Sequence, residues 1–175
     1  MFFDRKGVEA AEALSAIFAR YPYEWLDGGY EAFYKSHMYT ALSTMEHRVT
    51  GERITSEGTI DMLVEMSDGN VMVVEAKYRS GTVAENAKAG SGTKQNANAK
   101  PKTMDKKSTR AEESADRIRK LLDSGIKSAF SQINERCYAK EFIAAGRNVW
   151  FVAVAFAGRT GVRIEFREAN SPWAS

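Results

Sequence analysis

The chain has 175 residues, of which 43% are hydrophobic and 27% are charged, and its formal net charge is +2. These values fit an ordinary soluble globular protein, and we expect one domain over residues 1–175. The first residues do not form a signal peptide, and no segment reaches the ~18 apolar residues of a membrane helix. One cysteine excludes an internal disulfide and fits a reducing compartment, so we expect a cytoplasmic protein. With only two histidines beside it, there is no zinc cluster.

Two helices are predicted before the first strand. Asp4 can cap a helix that extends to about Arg20, because its apolar residues recur with the helical period. Residues 21–29 (YPYEWLDGG) contain a proline and paired glycines, which end that helix. A second helix is predicted from Tyr30 to about Met45.

Three strands are predicted next. Residues 47–55 (HRVTGERIT) indicate a strand that bends at its glycine. Residues 59–66 (TIDMLVEM) and 70–78 (NVMVVEAKY) are typical of a hairpin, since Asp68-Gly69 between them readily supplies the positive φ of a tight turn. The near-continuous apolar run of residues 70–78 predicts a central strand that is buried on both faces.

A basic insertion is predicted at about residues 80–107. This stretch is rich in glycine, alanine, asparagine and lysine, and it lacks the apolar groups that a packed core needs. From Lys77 to Lys127 there are thirteen lysines and arginines against six acidic residues, which gives +7 here and leaves −5 elsewhere. The stretch suits either nucleic-acid binding, a solvated loop, or an arm that pairs with a second copy in a homodimer. The candidate nucleic-acid contacts are Lys88, Lys94, Lys100, Lys102, Lys106 and Lys107.

The remaining elements complete a mixed sheet. Thr109 and Glu112 predict a capping box for a helix that Gly125 either ends or merely interrupts, and the helical pattern continues to about Ala145. Residues 148–156 are predicted to form a buried strand, and residues 162–168 a half-exposed one. The fold class is therefore α/β: an αβββαβ core whose mixed sheet is flanked by helices.

Charged residues occupy one end of the predicted hairpin. Counting outward from the Asp68-Gly69 turn places Asp61 opposite about Ala76 and beside Glu75. Two carboxylates at the end of an apolar sheet repel each other, and a divalent cation relieves that repulsion. We therefore predict a site for Mg²⁺ (or Mn²⁺) formed by Asp61, Glu75 and the carbonyl oxygen of Ala76.

Lys77 follows Glu75 by two residues, so both side chains project from the same face of the strand. An ammonium group beside a metal-bound water can orient that water or stabilise charge on a phosphate. Cation, lysine and water together suit phosphodiester hydrolysis. The simpler alternative is a buried salt bridge between Lys77 and one of the carboxylates.

The pattern Asp61…Glu75-Ala76-Lys77 on a hairpin resembles the PD-(D/E)XK nuclease superfamily, which has the restriction-endonuclease-like fold. The segments EAFYKSHMYTAL, GERITSEGTIDMLV, VVEAKY and SAFSQINERCYAKEFIAAGRNVWFVAVAF resemble the branch often found C-terminal to an AAA-ATPase-like domain. The resemblance covers about Tyr30 to Phe156. It implies that Asp61 and Glu75 hold the metal and that Lys77 is catalytic.

Further site residues follow from the resemblance alone. It implies that Glu52, Glu31 and Gln132 line the site and that Tyr138 borders it. Taken by themselves, the two glutamates also suit surface positions, and Tyr138 suits the core. Thr59 stands where this branch usually has an arginine, which removes one expected phosphate or carboxylate contact but leaves the metal ligands in place.

Two functions of different classes remain open on the sequence. The first is a metal-dependent nuclease acting on phosphodiester bonds, with DNA as the expected substrate. The alternative is a catalytically silent module that uses the nuclease fold to bind nucleic acid or protein. A partner ATPase is expected to be a separate protein, because the segment before Tyr30 is too short to contain one.

Overall fold

The computed structural model describes residues 2–21, 30–45, 47–80, 105–158 and 160–169. The elements in chain order are α1 (Phe2–Ala19), α2 (Tyr30–Ser43), β1 (Arg48–Thr55), β2 (Gly58–Glu65), β3 (Val71–Arg79), α3 (Asp105–Glu135), α4 (Lys140–Ala144), β4 (Val149–Ala157) and β5 (Gly161–Glu168). Among these helices, none is long and apolar enough to cross a membrane.

The five strands form one sheet in the order β1-β2-β3-β4-β5. Strands β3 and β4 run parallel, and every other neighbouring pair is antiparallel. A parallel pair needs a long crossover, and α3 lies on the connection between β3 and β4. The predicted mixed sheet, with β3 at its centre and helices on both faces, is confirmed.

Two apolar layers cover the faces of the sheet. On one face, α3 contributes Ile126 to a buried cluster that includes Val73 of β3. On the other face, Phe18 of α1 and Tyr34 of α2 share a cluster with Val74. Because strand side chains alternate, odd-numbered residues of β3 face α3 and even-numbered ones face α1 and α2.

Helix α3 begins earlier than predicted. It starts at Asp105, so the capping box that placed its start at Thr109 is wrong, and the insertion predicted to reach residue 107 ends before Asp105. No proline or glycine lies between Asp105 and Gly125, and an acidic residue in a first helical turn is favourable. No residue between Asp105 and Thr109 therefore prevents the helix from beginning at Asp105.

Helix α3 also ends earlier than predicted. It stops at Glu135 instead of continuing to about Ala145, and the short α4 follows. Cys137, between them, has a φ of 48°, in the left-handed region that interrupts a helix. The reversal lets the next residue, Tyr138, turn into the core, where it is buried.

The hairpin turn is one residue longer than predicted. The Met66 N–H donates to the Asn70 carbonyl over 2.9 Å, which encloses three residues. Within this loop only Gly69 has a positive φ, whereas the two-residue turn of the prediction needs two such residues. The register therefore shifts by one, and Met62 pairs with Val74.

Gly125 marks a close approach of α3 to the sheet. A Cβ atom at Gly125 would lie 2.7 Å from the Cβ atom of Ala155 on β4, closer than real side chains come. Gly125→Val should therefore lower the free energy of unfolding by at least about 2 kcal/mol through overpacking. Ser124→Val, at the exposed neighbouring position, is the matched control and should change it by under ~0.5 kcal/mol. Urea unfolding measures both, and equal losses would show that the close approach does not determine the effect.

Candidate active site

Asp61 lies where β2 and β3 separate. Their pairing ends at Met62 and Val74, and the same register continued would place Asp61 opposite Glu75, one residue from the Ala76 that was predicted. At this point the Ala76 N–H donates to the side chain of Asp61, at Oδ2 over 2.9 Å, instead of to a backbone carbonyl of β2. This bond holds the Asp61 carboxylate against β3, next to Glu75.

Glu75 is a fully buried acid. Its Oε1 accepts a hydrogen bond from Nζ of Lys77 over 2.6 Å, while its Oε2 has no hydrogen-bond partner among the described residues. Burial contributes most to raising the pKa of Glu75 from 4.5 to about 7, and the charge of Asp61 adds to it, although Lys77 acts in the opposite direction. Such a half-satisfied buried carboxylate is costly without a further partner.

Lys77 projects from the same face of β3 as Glu75, as the two-residue spacing predicted. Its side chain is 15% exposed and it forms a salt bridge with Glu75. The buried salt bridge that the sequence left open is therefore present. It also holds the ammonium group beside Glu75, whose Oε2 has no hydrogen-bond partner among the described residues. An ammonium group has three N–H donors, so Lys77 keeps donors for a water or a phosphate oxygen.

Residues 29–111 match a family model described as the PD-(D/E)XK nuclease superfamily. The family resemblance is confirmed. The match contains Asp61, Glu75 and Lys77, and it agrees with the restriction-endonuclease-like mixed sheet. No curated protein and no solved structure gives a significant match.

The candidate site contains a second lysine that sequence reasoning missed. Nζ of Lys35, on α2, lies 2.7 Å from Oδ1 of Asp61 and 2.9 Å from Oε1 of Glu31. Burial disfavours the charge on Lys35, but the hydrogen bonds to Asp61 and Glu31 outweigh it and raise the pKa of the lysine. The available signal was the four-residue spacing from Glu31, which places both side chains on one helix face.

Glu31 joins the site through its neighbours. Its Oε2 accepts a hydrogen bond from the Tyr78 N–H over 3.3 Å, and its Oε1 faces Lys35. Burial works to raise the pKa of Glu31, yet the Lys35 ammonium, the Tyr78 N–H and the Lys77 charge together lower it. Glu31 therefore fastens α2 to β3, and it reaches Asp61 by way of Lys35.

Glu52 lies on β1 across from Asp61 and is exposed. Its φ of 47° is an unusual backbone conformation for a residue other than glycine. Glu52, Glu31, Lys35 and Asp61 line one cleft of about 660 Å³ between α2 and the sheet. The structure thus places Glu52 in the wall of this cleft.

Gln132 and Tyr138, which the resemblance placed at the site, lie at the start of β2. The Tyr138 hydroxyl donates to the Thr59 carbonyl over 2.7 Å, and Nε2 of Gln132 lies 3.5 Å from that hydroxyl. These bonds attach α3 and the segment after it to the start of β2. Gln132 lines a polar cleft of about 450 Å³ beside Gly58, and within the described chain it has no hydrogen bond to Asp61 or the β3 acids and bases.

The predicted nucleic-acid contacts lie mainly beyond what the structure describes. Lys88, Lys94, Lys100 and Lys102 lie outside the described residues. Lys106 and Lys107 belong to the first turn of α3 and not to an insertion.

The donor set fits a cation that keeps several waters. Among the described residues there is no group of three or more His, Cys, Asp or Glu side chains that could hold a metal ion. The site instead offers two carboxylates, Asp61 and Glu75, and the carbonyl of Ala76, which points to the same side of the strand as the N–H that Asp61 binds. Mg²⁺ takes one or two carboxylates and fills its other positions with water or phosphate, and Oε2 of Glu75 is a buried acceptor that lacks a partner among the described residues.

Proposed function

We propose that this PD-(D/E)XK protein is a nuclease that hydrolyses phosphodiester bonds in DNA with Mg²⁺ or Mn²⁺. The observation that carries the proposal is the arrangement at the end of β3. Oε2 of Glu75 is buried without a partner in the described part of the chain, Asp61 lies beside it, and Lys77 holds the other oxygen. Buried polar groups are nearly always paired, so this acceptor is suited to a bound cation.

Each residue of the site has a distinct role in this proposal. Asp61, Glu75 and the Ala76 carbonyl would hold the ion, which when bound supplies a Lewis acid for the scissile phosphate. Lys77 donates hydrogen bonds from the α3 side of the sheet and orients the attacking water. Its positive charge also favours the negative charge that develops on the phosphate oxygens.

The test is a cleavage assay on linear, circular, single-stranded and branched DNA. We expect cleavage with Mg²⁺ or Mn²⁺, none in EDTA, and none with the Asp61→Asn variant. The panel also identifies the strand or structure that the site prefers. If no substrate is cut under any cation by a protein that binds Mn²⁺, the nuclease proposal is wrong.

The basic segment is proposed to contact the DNA backbone. Replacing Lys88, Lys94, Lys100 and Lys102 by glutamine should weaken DNA binding and flatten the slope of log affinity against log salt by roughly 3 units, at about 0.7–0.9 per lost phosphate contact. Fluorescence anisotropy over a salt series measures the slope. The melting temperature is the control and should barely change, since surface substitutions usually cost under ~0.5 kcal/mol.

The segment has a second proposed use as an arm between two copies of the chain. Deleting residues 82–103 and measuring solution mass together with DNA affinity separates the two uses. Unchanged DNA affinity with a change in mass would reject the DNA contact and favour a homodimer arm.

One observation favours the alternative of a catalytically silent binding module. Both oxygens of Asp61 are already engaged, Oδ1 by Lys35 and Oδ2 by the Ala76 N–H. If those bonds persist at millimolar Mg²⁺, the protein would keep the nuclease fold without its cation. DNA binding without measurable Mn²⁺ binding would support this second function.

A further inference from the structure

Two ammonium groups bracket the candidate metal site from opposite faces of the sheet. Lys77 reaches Glu75 on the α3 face, and Lys35 reaches Asp61 from α2 on the other face. The two contacts differ in whether the carboxylate keeps an oxygen atom that is not hydrogen-bonded. Lys77 leaves Oε2 of Glu75 without a partner in the described chain, whereas Lys35 and the Ala76 N–H together engage both oxygens of Asp61.

Lys35 is well placed to stand in for a cation. Its side chain is 23% exposed and that of Asp61 only 11%, so solvent screens their interaction weakly. Nζ of Lys35 lies 2.9 Å from Glu31 and 2.7 Å from Asp61, so without Lys35 these two carboxylates would be left facing each other, and Asp61 also repels Glu75. In the metal-free protein Lys35 therefore offsets a repulsion that a divalent cation would otherwise relieve.

Lys35 also has a second anchor. Glu31 lies one helical turn before it, and Oε1 of Glu31 is 2.9 Å from Nζ. The lysine can leave Asp61 and stay paired with Glu31, so the exchange does not leave a partly buried ammonium group without a counter-charge. Glu31 itself is held by the Tyr78 N–H, which keeps this anchor in place.

We propose, on the basis of the metal site proposed above, that Lys35 is an internal counter-ion that occupies Asp61 in the metal-free protein and withdraws to Glu31 when the divalent cation binds. Lys35 is thus a positioning residue that competes with the cation and sets the affinity of the site. In the metal-free protein its ammonium group stabilises the Asp61 carboxylate, and a cation that binds weakly does not displace it.

The test compares Mn²⁺ binding by calorimetry in EDTA-stripped proteins. Lys35→Met removes the charge and keeps the length of the side chain, so it should bind Mn²⁺ roughly tenfold more tightly than the wild type. Lys35→Arg keeps the charge and should stay close to the wild type. The matched control is Lys120→Met, which removes a lysine from an exposed pair with Asp116 that has the same four-residue spacing, and it should not change the affinity.

Thermal unfolding supplies a second readout that does not depend on activity. Without metal, Lys35→Met should melt at a lower temperature than the wild type, and saturating Mn²⁺ should raise its melting temperature by more. If Lys35→Met does not fold, Lys35→Gln replaces it, since its amide can still donate a hydrogen bond to Asp61 or Glu31 without carrying a charge.

The outcomes distinguish this inference from the proposed function. Equal or weaker Mn²⁺ binding by folded Lys35→Met or Lys35→Gln, beside normal binding by the wild type, overturns the counter-ion role and leaves the nuclease proposal standing. Binding by the variant alone supports the counter-ion role and overturns the nuclease proposal. If neither protein binds Mn²⁺, both are wrong.

Discussion

Replacing Lys77 by alanine should abolish DNA cleavage, a loss of at least about a thousandfold, without weakening Mn²⁺ binding. Lys77 is assigned to the water and the phosphate, and the contact it makes with Glu75 leaves Oε2 of that residue free for the ion. Asp61→Asn and Glu75→Gln each remove a charged ligand, so both variants should lose cleavage and Mn²⁺ affinity together.

The measurement is a nicking assay on supercoiled DNA beside a calorimetric Mn²⁺ titration of the three variants. Lys120→Met serves as the control, because it removes a lysine from an exposed ion pair with Asp116 on α3. An equal loss of Mn²⁺ affinity in all three variants would mean that Lys77 acts by organising the ligands. Retained cleavage by Lys77→Ala would exclude it from the chemistry.

The metal-free protein should become less stable as the pH rises from about 5 to 8, because folding raises the pKa of Glu75 to about 7. Burial of the carboxyl is the main cause, and the Asp61 charge is the second. A carboxyl with a raised pKa stabilises the fold in its protonated form. That contribution is complete below the ordinary value of 4.5 and is lost as the pH passes through about 7.

Urea unfolding in EDTA at several pH values between 5 and 8 measures this dependence. The free energy of unfolding should fall by up to about 1.4 kcal/mol per pH unit, and Glu75→Gln should remove this slope. Glu65→Gln is the matched control. The Arg147 hydrogen bond lowers the pKa of Glu65, so its contribution is lost only under more acidic conditions. A wild-type slope that survives in Glu75→Gln would show that another group titrates.

Saturating Mn²⁺ should change the same pH dependence. The ion needs the ionised carboxylate of Glu75, so binding favours the charged form and releases a proton where Glu75 is protonated. Stabilisation by Mn²⁺ should therefore be larger at pH 8 than at pH 6.

Local patterns predicted the strands and the faces of β3 correctly. The period-two alternation placed Glu75 and Lys77 on one face, and the continuous apolar run placed β3 at the centre of the sheet. The register was wrong by one residue because Asp68-Gly69 suits both a two-residue and a three-residue loop. Which loop forms depends on how β2 and β3 pack in the sheet.

The ends of α3 and the role of Lys35 could not be predicted for a related reason. Thr109 and Glu112 have the spacing of a capping box, but the surrounding residues also suit a helix interior. Lys35 lies on a different element from Asp61, and nothing local to either residue indicates that their side chains meet. Contacts between layers depend on packing, and a single sequence shows only which faces are apolar.

The most direct test of the metal site is a crystal structure with Mn²⁺, measured at the manganese absorption edge. We predict an anomalous peak within about 2.3 Å of a carboxylate oxygen of Asp61 and of Oε2 of Glu75, with the Ala76 carbonyl as a third ligand. Nζ of Lys35 should then contact Glu31 and no longer Asp61. Saturating Mn²⁺ without a peak at this site, or with peaks only elsewhere on the surface, would contradict the assignment.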